Sequence, residues 1–191
     1  MKKLMALIVI VLLGVANYSY AGTEKGMKEL QVQGSFSTVT NSVDEDQRDT
    51  LSSQLTFNYF LSSYFSLGGS ARLSNSVTEY DKSKNMDDSK SETTFLFLRG
   101  DLYLGGGRHS FVPYIGAHGG QIDSDTKTGN NVFSYSTEAY GAHGGFKVFP
   151  NESTSWNIEL DQTSYKPEFQ GFVSTYKTTN RSLLVGFSYY F

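Results

Sequence analysis

The fold of this chain is decided at its C-terminal end, where residues 180–191 read NRSLLVGFSYYF. Every second position there carries an apolar or aromatic side chain: Leu183, Val185, Phe187, Tyr189 and Phe191. Serine or glycine occupies three positions of the other set, at Ser182, Gly186 and Ser188. Because successive side chains of a β-strand point to opposite faces, this period of two predicts a strand with one apolar and one polar face.

The same alternation recurs along the sequence and predicts eight strands in all. They cover residues 29–40, 51–61, 65–75, 94–104, 111–122, 133–149, 154–163 and 180–191. The alternation holds along each segment, which favours strands over helices. Eight is an even number, as is usual for barrels of antiparallel strands in bacterial outer membranes.

The connections between these strands are of two kinds that alternate along the chain. Three are short (62–63, 105–110 and 150–153), and four are longer and polar (41–50, 76–92, 123–132 and 164–179). Short periplasmic turns alternating with longer extracellular loops are typical of a transmembrane β-barrel. The sequence therefore predicts an all-β protein, an eight-stranded antiparallel up-and-down transmembrane β-barrel. A soluble β-sandwich is the alternative.

Aromatic residues cluster near the short turns, which favours the barrel. They are Tyr59, Phe60, Tyr64, Phe65, Tyr103, Phe111, Tyr114, Phe146, Phe149, Trp156, Tyr189, Tyr190 and Phe191. Rings with a polar tip suit the headgroup zone of a membrane, so we expect these residues to form an interfacial girdle. The polar faces of the strands also carry charges that the core of a sandwich would not bury.

The N-terminus, MKKLMALIVIVLLGVANYSYA, has the pattern of an export signal. Two lysines precede an apolar stretch at 4–16, and Ser19 and Ala21 supply the small residues of a cleavage site. The apolar stretch is too short for a spanning helix, which needs about 20 residues. We expect residues 1–21 to be a secretory signal peptide cleaved after Ala21, and residues 22–191 to form the barrel domain.

Charge and composition exclude several classes of function. The chain has 16 basic and 19 acidic residues, a formal net charge of −3, which argues against a nucleic-acid partner. It has no cysteine, so disulfides, thiolate metal sites and a cysteine nucleophile are excluded.

Two motifs resemble those of a known family. The alternating aromatic end, with Phe187, Tyr189 and Phe191, resembles the C-terminal signal that the outer-membrane barrel assembly machinery recognises. The stretch 113–117 (PYIGA), followed by two glycines at 119–120, resembles the glycine-rich strand of the small outer-membrane β-barrel family, OmpX-like proteins and the OmpA transmembrane domain. The resemblance implies a Gram-negative outer membrane, with its lipid, its lipopolysaccharide and the assembly machinery as partners.

The polar faces predict the contents of the barrel lumen. If the apolar faces point outward, the inward ionic residues are Arg72, Arg99, Lys147, Asp101, Glu159 and Asp161. Three positive and three negative groups can pair, and the interior of eight strands is narrow enough for side chains to fill. We therefore expect a plugged lumen and a structural or surface-interaction role. A narrow, porin-like channel of low conductance is the alternative.

The sequence GAHGG occurs twice, at 116–120 and 141–145, and directs both His118 and His143 inward. If the 123–132 hairpin is centred near Asn130 and Asn131, we expect these histidines to face each other across adjacent strands, with Glu159 beside His143. They could form a metal pair or a pH-sensitive switch, or they could simply join the lumen network. Since two histidines alone rarely bind a metal strongly, we predict neither a metal site nor a cofactor.

Catalysis has little support in the sequence. A nucleophilic serine must lie within hydrogen-bond reach of a histidine, and His109 and Ser110 are consecutive, so a strand would point them apart. We predict no catalytic residues, and lipid A modification is the least favoured function. The charged connections 41–50, 76–92, 123–132 and 164–179 remain candidates for binding an extracellular ligand.

Overall fold

The computed structural model describes residues 23–40, 47–79, 88–104, 109–166, 168–169, 172–173 and 177–191. Within them the strands are β1 (Lys28–Thr40), β2 (Gln47–Ser62), β3 (Phe65–Glu79), β4 (Ser89–Tyr103), β5 (Phe111–Thr128), β6 (Asn131–Asn151), β7 (Thr154–Tyr165), β8 (Glu168–Phe169), β9 (Phe172–Val173) and β10 (Thr178–Tyr190). None of these described residues belongs to a helix long and apolar enough to cross a membrane. The predicted signal peptide, with Ala21, lies outside the described residues.

Eight long strands close into a barrel. Each pairs antiparallel with the next along the chain, and β10 returns to pair with β1, where Leu30 lies opposite Tyr189. The two-residue strands β8 and β9 lie between β7 and β10 in the sequence. They pair with each other, and β8 also pairs with β6. The predicted fold class, an eight-stranded antiparallel up-and-down barrel, is confirmed.

The outer wall of the barrel is apolar and exposed, which excludes the β-sandwich. Leu98 is 77% exposed, Phe36 70% and Leu160 66%, and similar side chains occupy the outward positions of the other long strands. Soluble proteins rarely expose contiguous apolar patches this extensive, whereas the hydrocarbon of a bilayer covers such a band.

The strands extend farther than the sequence predicts, so the predicted long loops are wrong in extent. The predicted loop 123–132 is instead the end of a β-hairpin, with only Gly129 and Asn130 between β5 and β6. Gly129 has a φ of 57°, a backbone conformation that glycine adopts without strain. Both faces of β5 are polar at residues 123–128, so the apolar alternation that reveals a strand disappears there while the backbone pairing continues.

The other predicted loops shrink for the same reason. Strand β2 already begins at Gln47, β3 continues to Glu79, β4 begins at Ser89, and β10 begins at Thr178. Residues 41–46 and 80–87, which belong to the predicted loops 41–50 and 76–92, lie outside the described residues, as do half of the residues between β7 and β10.

Two apolar clusters of buried residues lie inside the barrel, one toward each end. The turn-side cluster, near the short turns, consists of Phe60, Tyr103, Val112, Tyr114, Phe149 and Tyr190. The hairpin-side cluster, toward the long hairpins, consists of Phe95, Phe97, Ile122, Ala139 and Tyr165. Five aromatics predicted for the interfacial girdle therefore lie inside the barrel. Whether such a side chain faces the lumen or the membrane depends on the alternation along its strand. Closeness to a turn does not determine it.

Candidate functional site: a polar belt across the lumen

A polar belt lies between the two apolar clusters. The structure places every predicted lumen residue in it, each at most 8% exposed: Arg72, Arg99, Asp101, His118, His143, Lys147, Glu159 and Asp161. They come from β3, β4, β5, β6 and β7, on both sides of the barrel. The period of two puts them inside, because each has the parity of the polar face of its strand.

Arg72 spans the lumen at the hairpin side of the belt. Its Nη1 lies 3.0 Å from Oδ1 of Asp161, and its Nε donates to Oε1 of Gln54 over 2.7 Å. The guanidinium group presents several donors in a fixed plane and so can bridge two walls of the barrel at once.

Arg99 lies at the centre of the belt. Its Nη2 donates to Oε2 of Glu159 at 2.9 Å, and its Nε donates to Oδ1 of Asp101 at 3.2 Å. Tyr114 donates its hydroxyl to the same oxygen of Glu159 at 2.7 Å, and so links the belt to the turn-side cluster. Both carboxylates are thus held by hydrogen bonds as well as by charge, as buried ions require.

The third cation, Lys147, pairs with Glu29, a residue that the prediction omitted. Glu29 is fully buried and also accepts hydrogen bonds from Tyr190 Oη at 3.0 Å and Asn58 Nδ2 at 3.0 Å. The Nζ of Lys147 lies 5.2 Å from the ring centroid of Tyr114, within the range of a cation–π contact. Glu29 is the second residue of β1. It lies two residues before the inward-facing Gln31, and this spacing indicates that Glu29 also faces the lumen.

The two histidines meet within this belt. Their Nδ1 atoms lie 3.2 Å apart and the rings are stacked. Strand β6 pairs with β7 so that Asp161, and not Glu159, lies opposite His143; Glu159 lies opposite Gly145. Glu159 therefore lies two residues along β7 from the position opposite His143, and Asp161 occupies that position. The pairing of β6 with β7, which shifts by one residue between Val148 and Asn151, determines this register, and the sequence pattern did not reveal it.

Glycines make the space for both rings. A Cβ added at Gly116 would overlap the ring of His143, and one added at Gly141 would overlap the ring of His118. Each glycine lies directly opposite the histidine of the neighbouring strand that it would obstruct. The repeat GAHGG thus encodes two rings and two gaps that fit together.

Comparison with known proteins identifies the family. The family model described as "Outer membrane protein beta-barrel domain" matches residues 5–191. The chain belongs to this outer-membrane β-barrel family. It is an outer-membrane barrel protein, and the resemblance found in its sequence is confirmed. No curated protein matches the chain.

Solved structures of the same architecture share little sequence with this family member. Ail, the attachment invasion locus protein of Yersinia pestis, has a TM-score of 0.53 and 11% identity, covering 87% of this chain and 99% of that one. OprG of Pseudomonas aeruginosa has a TM-score of 0.51 and 18% identity, covering 89% and 98%. Neisserial surface protein A has a TM-score of 0.51 and 12% identity, covering 87% and 98%. At these identities the likeness concerns the fold.

Proposed function

We propose that this protein is a rigid outer-membrane scaffold with a plugged lumen, and that its hairpins present a surface for interaction outside the cell. The observation that carries the proposal is the order of layers inside the barrel. Apolar clusters occupy both ends, and ion pairs join opposite walls between them. This arrangement suits a scaffold that holds its shape and moves no solute.

The cost of opening the lumen supports this role over that of a channel. A conducting path through the belt would have to separate Arg72 from Asp161 or Arg99 from Glu159. Removing one partner of a buried pair typically costs about 3–5 kcal/mol, because the other charge stays buried without compensation. Wide aqueous pores are built from roughly 16–18 strands, and this barrel has eight long ones.

The hairpins supply the proposed interaction surface. Toward the hairpins the outward positions of several strands become polar, at Asp49, Asn75, Glu92, Gln121 and Gln162. Strands β5 and β6 have 18 and 21 residues, whereas about 9–11 residues span a membrane. The hairpin thus extends well beyond the apolar band, and binding residues are often found on segments that a rigid scaffold presents. The name of Ail refers to attachment, which agrees with this kind of role.

Lipopolysaccharide and membrane lipid are the proposed partners of the outer wall. Lys166, Lys177 and Arg181 are exposed near the level where the wall becomes polar. The Nζ of Lys177 lies 5.0 Å from the ring centroid of Tyr140, at the upper edge of the apolar band. Cationic side chains at this level suit the phosphate groups of a lipid headgroup.

Two further proposals concern delivery to the membrane. Residues 1–21 would direct export and be cleaved after Ala21, which N-terminal sequencing of the mature protein tests. Phe187, Tyr189 and Phe191 present exposed rings on the outer face of the C-terminal end. This row of rings would be read by the barrel assembly machinery.

Planar-bilayer recording tests the plugged lumen. We expect the refolded protein to give no discrete current steps, while a reconstituted 16-stranded porin gives them under the same conditions. Steps that change in size in the variant Arg99→Gln would contradict the proposal and establish a channel. Mass spectrometry of lipid A from cells with and without the protein tests the enzymatic alternative, and we expect identical spectra.

Attachment of bacteria to a cultured epithelial monolayer tests the surface role. In the variant, residues 125–134 are replaced by the turn Asn-Gly, which joins the paired residues Ser124 and Tyr135. We expect cells displaying the native hairpin to attach more than cells displaying this variant at equal surface amounts. Equal attachment of both would count against a role for this hairpin.

A further inference from the structure

The hydrogen bonds around His118 and His143 indicate that neither ring carries a proton on Nδ1. His143 Nε2 lies 2.6 Å from Oδ1 of Asp101. A carboxylate can only accept, and Asp101 is held in that form by its ion pair with Arg99. The proton of a neutral His143 is therefore on Nε2, and its Nδ1 carries a lone pair.

The same accounting applies to His118. The hydroxyl of Thr163 donates to Oδ1 of Asp161 at 3.0 Å, so its oxygen is left to accept a hydrogen bond. His118 Nε2 lies 3.0 Å from that oxygen and donates to it. The Nδ1 atom of a neutral His118 therefore also carries a lone pair, and it faces Nδ1 of His143 across 3.2 Å.

A third acceptor points at the same place. Oδ2 of Asp161 lies 3.6 Å from Nδ1 of His118, and ligand atoms of all three residues lie within 4.8 Å of one another. Two imidazole lone pairs and a carboxylate oxygen thus converge, and the hydrogen bonds described above supply no proton between them. A cation at the centre of this arrangement would be bound by all three acceptors.

We propose that His118 Nδ1, His143 Nδ1 and Asp161 Oδ2 bind a first-row transition-metal dication of the Zn²⁺ class. Zinc bonds of about 2.0–2.1 Å in a tetrahedron place neighbouring ligand atoms roughly 3.3 Å apart, close to the two measured separations. Two imidazoles and one carboxylate suit Zn²⁺ or Cu²⁺, whereas Ca²⁺ and Mg²⁺ prefer oxygen ligands alone.

The groups behind the ligands have the arrangement that metal-binding histidines require. Asp101 holds the far nitrogen of His143, and Thr163 holds the far nitrogen of His118. Partners of this kind fix the tautomer and the orientation of the ring, so that the other nitrogen is directed at the metal. Both rings are therefore arranged for Nδ1 ligation before a metal arrives.

The charge balance of the belt also favours a bound cation. Among the described residues, the buried carboxylates are Glu29, Asp101, Glu159 and Asp161, and the buried permanent cations are Arg72, Arg99 and Lys147. Four negative groups thus face three positive ones. A dication beside Asp161 more than offsets the single excess negative charge and joins β5, β6 and β7 through one centre.

Metal analysis of the refolded barrel tests the site. The protein is refolded with Zn²⁺, excess metal is removed by gel filtration, and bound zinc per chain is measured. We expect one zinc per chain in the wild type and in His109→Ala, since His109 is exposed outside the site. We expect none in the double variant His118→Gln/His143→Gln, and an affinity roughly 10–100-fold lower in Asp101→Asn.

A second measurement tests the site without the double variant, in case that variant does not fold. Cu²⁺ is added to His109→Ala, whose remaining histidines are His118 and His143, and the electron paramagnetic resonance spectrum is recorded. Hyperfine coupling to two nitrogen nuclei is the expected result. Retention of no more metal than the folded double variant, or a copper spectrum without nitrogen coupling, would overturn the site and leave a shared proton as the cation.

Discussion

Arg72 and Asp161 form an ion pair of 3.0 Å although β3 and β7 are four strands apart in either direction around the barrel. Only a narrow lumen allows side chains from opposite walls to meet in this way. Both side chains are at most 5% exposed, so the pair lies away from water. The contact acts as a strut across the interior of the barrel.

Replacing Arg72 should destabilise the barrel strongly. In Arg72→Met the buried carboxylate of Asp161 loses its cation, and we expect the free energy of unfolding to fall by about 3–5 kcal/mol. Urea unfolding in lipid vesicles, in a buffer containing a chelator, measures this difference. Arg181→Met is the matched control, because Arg181 is exposed, and we expect a change of about 0.5 kcal/mol or less. Equal losses in both variants would show that the strut contributes nothing specific.

Two glycine-to-alanine substitutions on β5, one facing the lumen and one on the outer wall, should differ in their effect on stability. In Gly116→Ala the new methyl group overlaps His143 and Asp101, and we expect a loss of about 1–3 kcal/mol in the free energy of unfolding. In Gly119→Ala the nearest atom lies at an ordinary 3.7 Å, so we expect the stability to be unchanged or slightly raised. The same unfolding assay compares the two variants. A similar loss at both positions would point to backbone effects in place of crowding in the lumen.

Truncating the last aromatic ring should impair delivery more than stability. In Phe191→Ala we expect severalfold less folded barrel in the outer membrane, because the exposed row of C-terminal rings loses its last member. The amount is measured by immunoblot of unboiled samples, in which a folded barrel differs in mobility from the boiled chain. The control is Phe111→Ala, which removes an outward ring that is 48% exposed, compared with 57% for Phe191. Unchanged amounts of folded Phe191→Ala in cells would contradict a role in assembly.

Shortening the β5–β6 hairpin should leave the barrel intact. Replacing residues 125–134 by Asn-Gly removes no member of either apolar cluster and no residue of the polar belt. We expect the stability of this variant to remain within about 1 kcal/mol of the wild type. Loss of the heat-dependent shift in gel mobility would instead show that the outer part of the hairpin is needed for folding.

The sequence was sufficient for the number of strands and for the two faces of the barrel, because both depend on a period of two that each strand carries locally. Phe95, for example, has the inward parity of Arg99 and is indeed inside. Strand ends were predicted poorly where both faces are polar, as at residues 123–128. The backbone pairing there needs no apolar residue and so leaves no pattern to read.

The contacts across the lumen could not be predicted from the sequence. They depend on the stagger between strands, and the bulge between Val148 and Asn151 shifts the pairing of β6 with β7. Parity indicated that Asp161 is inside, but only the register places it beside His143 and within reach of Arg72. The alternation along β1 also places Glu29 inside the barrel. It was missed because it lies at the end of its strand.

The pairing of β1 with β10 has a consequence for biogenesis. The free edge of β1 can be covered only when β10, which lies far from it in the sequence, has paired with it. A chain interrupted anywhere between them would carry two open edges and could not be sealed. Closure of the barrel thus depends on two strands that lie far apart in the sequence, and loss of either one leaves an open sheet edge.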